Sequence, residues 1–508
     1  MRLSIMATDT EYLVNHYPSR ELFRSLGGKW DGQYWRLTRT PSVAQALYQL
    51  TQQLGETPPP ELKEDMESAP VDIEFSSDLW EHQVQALKFA LPLRSAMLAM
   101  DMGTGKTRVA LEIIKHRGHK RVLVLCPKAV AGVWEYQAGL YSTLNYYTLV
   151  DSNGKHSAVL ERITEPALLT VNYDLLANVE LVNRLAQHRF SFLIMDESHR
   201  LKSPSGVWSK AAQKLGKAIP YKLALTGTPM PHSPLDVYGQ FRALDPGIVG
   251  GSYSAFKERY AVVNHFRAVV GYRNLDELAN RMKAVTYRVT NNVLSLPKLL
   301  EAEHPVTLPQ AAREAYALAQ EGIIYDLERG AITAQNALVK TLRLRQITAG
   351  HADVDGTTLA FHDAKIDAIK DILDGISDER VVIFCEFRAE IEALAKAITQ
   401  PAYILSGQRK DDLAEWRTTP GSVLLVQSQV GSLGIDLTAA RYAIFASLPW
   451  SLGVYEQAKA RVHRAGQTRP VEIIHILAKD TIDVTVSRAL KTRQDVVQAV
   501  LSNLRTVS

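Results

Sequence analysis

The chain has 508 residues, 46% of them hydrophobic, 22% charged and 8% aromatic, the profile of an ordinary globular protein. No run approaches the roughly 18 apolar residues of a membrane span, the first residues carry no secretory apolar segment, and two cysteines exclude a disulfide scaffold or a Cys-rich zinc module, so a cytoplasmic location is expected. The net charge of +4 alone points to no nucleic-acid partner; its distribution, +2 over residues 1–55, −7 over 56–78 and +9 over the remainder, permits polyanion binding.

At roughly 100–200 residues per domain the length suggests about three to five units. Residues 1–55 read as a small α+β module. A helix stops at Gly27-Gly28, and a hairpin follows whose turn is Asp31-Gly32. Lys29, Trp30, Tyr34, Trp35 and Arg36 interleave cations with aromatics, as a DNA-contact surface does, while the bland alternative puts Trp30 and Trp35 in the core of a very small domain. Thr57-Pro58-Pro59-Pro60 and the acidic run after it read as a solvated linker over 56–74.

Beyond the linker, short apolar runs alternate with helical patterns, which predicts buried parallel strands in an α/β layer fold. The first series is Leu93–Met100, Arg121–Cys126, Ala167–Val171, Phe190–Met195 and Lys222–Leu225. The second is Val381–Cys385, Tyr403–Leu405, Val423–Val426, Tyr442–Phe445 and Glu472–Leu477. Residues 245–295 and 309–346 read as mostly helical. The expected domains are lobe 1 over 75–295 and lobe 2 over 296–495. Cys126 and Cys385 end strand-like runs and are expected to be buried thiols.

Met100-Asp-Met-Gly-Thr-Gly-Lys-Thr107 follows a strand and opens a helix expected to stop near Gly118. Gly103, Thr104 and Gly105 would close backbone N–H groups around phosphate at a helix N-terminus. Lys106 would reach the β- and γ-phosphates and Thr107 would ligate Mg²⁺. The generic pattern wants Gly where Met100 stands, and the bland alternative is a Gly-rich turn with a surface lysine. Phe190–Met195 then delivers Asp196 and Glu197 to a strand end, where α/β ligands bind. Asp196 is placed to hold the metal and Glu197 to polarise the attacking water. Leu223–Pro229 ends in Thr226 and Thr228, read as a nucleotide sensor or a plain strand exit.

In the second series, Gln427-Ser428 to Asp436 is a small-residue turn whose Gly434 lets backbone approach a phosphate or the nucleotide. Arg461 and Arg464, three apart, are expected on one helix face, either as arginine fingers for the γ-phosphate or as a solvated basic face.

These segments, in this order, resemble the motifs of superfamily-two helicases, specifically the Swi/Snf (sucrose non-fermenting) family of duplex-DNA translocases. Arg461-Val-His-Arg-Ala-Gly-Gln467 is similar to that family's closing motif, and Met100 stands where the family usually has Asp rather than Gly. Trp80-Glu-His-Gln83 resembles the adenine-reading segment, with Gln83 as the reader. Cys126-Pro-Lys to Trp134 and Val171-Asn-Tyr-Asp174 resemble lobe-one DNA-contact motifs, and Leu344-Arg-Gln-Ile-Thr resembles the segment before the lobe-two core. Ser198 replaces the usual Ala and Asp436 the usual Asn. Residues 1–55 resemble the HARP modules that precede some annealing helicases. The resemblance spans about residues 75–492 and implies two tandem RecA-like lobes with helical insertions. It implies ATP and Mg²⁺ as cofactors, with Lys106, Glu197, Arg461 and Arg464 catalytic, and a monomeric motor on duplex or branched DNA. A strand-separating or annealing helicase on forked DNA or RNA is the alternative; a non-catalytic scaffold would be expected to lack Lys106, Glu197 or Arg464.

Overall fold

The computed structural model describes residues 3–507 except 9–10, 27, 40–42, 45–46, 49, 52–53, 63–74, 151–155, 266–267, 295, 329–333, 355–356, 406–410, 432–434 and 502–504. The chain divides into two compact units, Met1–Val293 with Val496–Ser508, and Leu294–Asp495.

The first unit opens with the small module. Strands β1 (Ser4–Ala7), β2 (Glu11–Asn15), β3 (Lys29–Trp30) and β4 (Trp35–Thr38) form an antiparallel sheet in the order β1-β2-β4-β3 beside the helix Arg20–Ser25. Of the two tryptophans only Trp35 is in the core, with Tyr12, Phe23 and Leu37, while Trp30 is exposed. Arg36 is ion-paired to Glu11 and Asp31. The hairpin turn is longer than Asp31-Gly32, because the Asp31 carboxylate collects the N–H groups of Gln33 and Tyr34. Leu62, from the stretch read as a solvated linker, is fully buried in this core, and Leu93 packs against it; the linker's residues 63–74 lie outside the described residues. The helix Arg20–Ser25 packs against the short helix Pro246–Val249, so the module sits on the first lobe.

That lobe is a parallel sheet of β5 (Ser95–Met100), β6 (Arg121–Cys126), β7 (Asn145–Leu149), β8 (Ala167–Asn172), β9 (Phe192–Asp196), β10 (Tyr221–Thr226), β13 (Thr286–Val289) and β22 (Arg505–Val507), in the order β22-β13-β5-β10-β9-β6-β8-β7. β5, β8 and β9 are buried at every residue, as expected of strands covered on both faces. The chain leaves β5, passes the positions of two strands (β10 and β9) to reach β6, continues outward to β7 and β8, and returns to β9 and β10. That reversal creates a crevice at the strand C-termini, where α/β folds bind ligands.

Residues 245–295 are less helical than their pattern implies. They contain the hairpin β11 (Ala261–Val263) with β12 (Val269–Tyr272), as well as β13. Strand β13 is only four residues long, too short for its period to declare itself beside the helix Leu275–Lys283.

The second unit is another parallel sheet, of β14 (Leu299–Val306), β17 (Val381–Cys385), β18 (Ala402–Leu405), β19 (Val423–Gln427), β20 (Tyr442–Phe445) and β21 (Val471–Ala478), in the order β14-β21-β20-β17-β19-β18. The long helices Gln310–Glu328 and Ala334–Thr348 and the hairpin β15 (His351–Val354) with β16 (Thr357–Ala360) precede its core. β14 escapes notice in sequence because it is an edge strand whose residues Glu301 to Glu303 are exposed. Both cysteines are buried, and burial pushes the Cys385 thiol well above its ordinary value. Each lobe is α/β, as expected.

His475 on β21 is buried against Tyr455, whose hydroxyl lies 3.0 Å from Nε2. Burial pushes its imidazole down to about 4 even though Glu301 draws it the other way. An unfolded histidine takes up its proton near pH 6.5, so stability present above that pH falls as the pH drops toward 4. The stability lost between pH 7 and pH 5, measured by denaturant titration, should be about 2 kcal/mol smaller in His475→Gln than in the wild type.

Candidate nucleotide site

The glycine loop follows from the end of β5. Gly103 and Gly105 both have left-handed backbones (φ 83° and 86°), which glycine alone adopts without cost. They turn the chain so that the helix Lys106–Arg117 starts with its N–H groups free to face an anion. Gly105 is required for a second reason: a Cβ there would lie 2.1 Å from Nε2 of Gln83. Gln83 is at the start of the helix Glu81–Ala90 and its amide donates to the Thr104 carbonyl at 3.2 Å. His82 meets the same carbonyl at 2.9 Å, a support that the adenine-segment resemblance did not single out. Lys106 Nζ donates to the carbonyls of Met100 and Asp101 at 2.8 and 3.2 Å. Asp101 in turn accepts the Asn291 N–H, which ties the loop to the segment after β13.

Asp196 ends β9, separated from β5 by β10 alone. Registers Leu225↔Asp196 and Leu225↔Leu98 set Asp196 two strand spacings, about 10 Å, from the base of the loop. Its carboxylate is buried. Trp134 Nε1 donates to Oδ2 at 2.8 Å, the Glu197 N–H donates to Oδ1 at 2.9 Å, and Tyr173 donates its hydroxyl to the Asp196 carbonyl at 2.8 Å. Burial, with the neighbouring charge of Glu197, pushes Asp196 up to about 6, against the pull of Trp134 and Lys106. Thr107 and Asp196 offer a hydroxyl and a carboxylate oxygen. These are hard donors few enough to leave positions for water and phosphate, as Mg²⁺ requires, and a cation would relieve the cost of the buried charge.

Glu197 has a left-handed backbone (φ 50°), a conformation costing a non-glycine residue about 1–3 kcal/mol. It turns the chain directly after β9, and its Oε2 lies 3.3 Å from His199 Nδ1. His199 Nδ1 is also 3.3 Å from Thr226 Oγ1, which accepts the Thr228 N–H at 3.1 Å. The acidic pair and the Thr-Gly-Thr segment are therefore one connected group. The Ser that departs from the family's Ala has a role here: Ser198 donates to Gln240 Oε1 at 2.9 Å, and the Gln240 amide donates to Pro229 O at 2.6 Å. Gly239 lets this helix, Val237–Leu244, approach, since a Cβ there would lie 1.9 Å from the Leu201 carbonyl.

Three expectations change. Trp134 and Tyr173, placed by resemblance in DNA-contact motifs, are fully buried and donate to Asp196. Arg461 and Arg464 do not share a helix face, because the helix Leu452–Val462 ends before Arg464, with His463 at φ −104°, ψ 88°. The cause is the Gln467 amide, which donates to Thr438 O, Ala440 O and Val462 O, while His463 Nε2 meets Pro297 O at 2.7 Å. Arg461 is buried on the helix and Arg464 is half-buried in the turn. Finally, Ser428–Gly431 is a short helix rather than a turn, with Ser428 donating to Cys385 O at 3.1 Å. Gly434 lies outside the described residues. Asp436 keeps its carboxylate below the usual range despite partial burial, through Thr438 and the charges of Arg464 and Arg417.

A glycine loop opening a helix, with an acidic pair led by the buried Asp196 two strands away on a parallel sheet, defines a P-loop nucleotide-binding lobe, here followed by a second α/β lobe. The SNF2-related domain matches residues 46–352 and the helicase conserved C-terminal domain matches residues 364–466. The chain belongs to the SNF2-related family. It is 27% identical to protein p41 of Acyrthosiphon pisum secondary endosymbiont phage 1, over 85% of this chain and 99% of that protein. It is 24% identical to an uncharacterized ATP-dependent helicase of Mycoplasma genitalium, over 84% of this chain and 42% of that one. To the DNA annealing helicase and endonuclease ZRANB3 of Bos taurus it is 25% identical, over 80% of this chain and 39% of that one. The chain thus spans nearly all of the phage protein and less than half of the other two.

Gly105→Ala should cut nucleotide affinity about tenfold or more, measured by calorimetric titration, because the methyl displaces Gln83. Gly118→Ala also has a positive φ (66°) but meets no atom within 4 Å. It should cost only about 1 kcal/mol of stability and leave nucleotide affinity unchanged.

Proposed function

We propose that the protein is an ATP-driven motor that moves along or remodels duplex or branched DNA without reading its sequence. One observation carries this: Lys106, the start of its helix and the Asp196–Glu197 pair occupy C-terminal strand ends on one sheet, linked through His199 to Thr226. Lys106 and the loop N–H groups bind the phosphates. Glu197, held by its turn and by His199, takes a proton from the attacking water. Thr107 and Asp196 would hold Mg²⁺, which would supply charge neutralisation at the phosphates. Arg461 and Arg464 supply charge that stabilises the γ-phosphoryl group in the transition state. Gln83 orients the base as it braces the loop, and Gly434 belongs to the same nucleotide set. DNA is gripped through its phosphates, so binding weakens steeply with salt. The motor is read as a monomer. The match along nearly all of a phage protein supports a cytoplasmic setting inside a bacterium. The domain reading is a module over 1–55, a linker over 56–74, lobe 1 over 75–295 and lobe 2 over 296–495.

ATP hydrolysis measured with duplex, forked and single-stranded DNA and with RNA tests the reading. Duplex or branched DNA should stimulate it most; stimulation by RNA alone would overturn it. Lys106→Ala should abolish turnover with the fold intact, and Glu197→Gln should bind ATP without releasing product. Arg464→Ala should lower kcat by about a thousandfold with little change in ATP affinity, and an unchanged kcat would make that arginine a surface charge.

A further inference from the structure

Trp134 is a fully buried side chain in the first turns of the helix Ala131–Tyr141, which follows β6. Strand β6 lies directly beside β9, with Leu125 opposite Met195; the helix itself packs on β7, β8 and the helix Lys106–Arg117, and from there the Trp134 side chain reaches Asp196 at the end of β9. The indole N–H is a donor only, and it meets Asp196 Oδ2 at 2.8 Å. The second oxygen, Oδ1, is held by the Glu197 N–H at 2.9 Å. Each carboxylate oxygen therefore has one fixed donor and keeps further lone pairs for another ligand. The ring is packed among the lobe-one core residues, so the donor has one orientation and imposes it on the carboxylate.

We propose that Trp134 is the positioning residue of the metal site: its indole N–H locks the Asp196 carboxylate in the orientation that presents it to Mg²⁺. This rests on the reading of Asp196 as the metal-holding carboxylate. It also assigns the helix Ala131–Tyr141, whose first turns end a segment that resembles a lobe-one DNA-contact motif, a part in the nucleotide site. The same helix exposes Val133 and Tyr136 while its Trp134 faces inward. Partners that orient a metal's own ligand are typically worth about 10–100-fold in metal affinity.

The test uses the full chain and a non-hydrolysable ATP analogue, titrated calorimetrically at a series of Mg²⁺ concentrations. Trp134→Phe keeps the aromatic bulk and removes the N–H. The Mg²⁺ concentration for half-maximal nucleotide affinity should rise about tenfold, while metal-free nucleotide affinity and nucleotide-free DNA affinity stay within about twofold. A Mg²⁺ dependence equal to wild type in a folded variant overturns the inference; a fall in nucleotide-free DNA affinity with an unchanged Mg²⁺ dependence overturns it in favour of the DNA-contact role. If Trp134→Phe does not fold, benzothienylalanine at position 134, which has the indole shape with sulfur in place of N–H, takes its place with the same two outcomes. The reading beneath the inference fails separately, if the wild type itself shows no Mg²⁺-dependent nucleotide binding.

Discussion

A carboxylate sealed into the end of a central strand is costly unless every lone pair it turns inward finds a donor. Asp196 is such a group, and much of the first lobe is arranged around it. Trp134 reaches its carboxylate from the helix after β6 and the Glu197 N–H from its own turn, while Tyr173, from the end of β8, holds its backbone carbonyl. The connection after β6 and the turn after β9 must therefore both pack correctly before the carboxylate is satisfied. The charge that survives points to the strand ends, where the glycine loop delivers Lys106. The pKa of Asp196, raised to about 6, reflects that burial, and a cation held by the carboxylate would reverse it.

Close backbone approach is the second organising constraint. Gly105 admits Gln83 against the loop, and Gly239 admits the helix Val237–Leu244 against Leu201. The second contact brings Gln240 between Ser198 and Pro229, so the acidic segment and the Thr-Gly-Thr-Pro segment move as one piece. The His199–Thr226 contact adds a further link between the acidic segment and the end of β10. Packed elements of this kind shift between discrete arrangements rather than deforming continuously.

The second lobe uses a polar knot to the same end. Gln467 satisfies three carbonyls from two segments and accepts the N–H groups of Thr468 and Arg469. By stopping the helix at Val462 it sets Arg464 in a turn, apart from Arg461. Lys365, buried and paired with Asp483 at 2.6 Å, also donates to Ala446 O, and Arg345 donates to Leu448 O. Buried charges thus tie down the C-terminal end of β20, on the edge of the sheet where the motif residues lie.

Strands β6, β17 and β20 have the bounds that their apolar runs indicate, and the helix after the glycine loop runs to Gly118 as expected, because burial on both faces and glycine's conformational freedom are local properties. So are the chemical identities of Lys106, Thr107, Asp196 and Glu197 and their places at strand ends. β13 and β14 were not legible: one is four residues long and the other is an acidic edge strand, and in neither does the apolar period reach a full signal. The roles of Trp134, Tyr173, Ser198 and Gln467 were not legible either. The sequence by itself determined which chemical groups stand at the glycine loop and the strand ends, because that depends on side-chain type and on the turn or strand each one ends. Only the tertiary structure decided which residues hold them in place, because a hydrogen bond such as that from Trp134 to Asp196 joins groups 62 positions apart, and no local pattern encodes that distance.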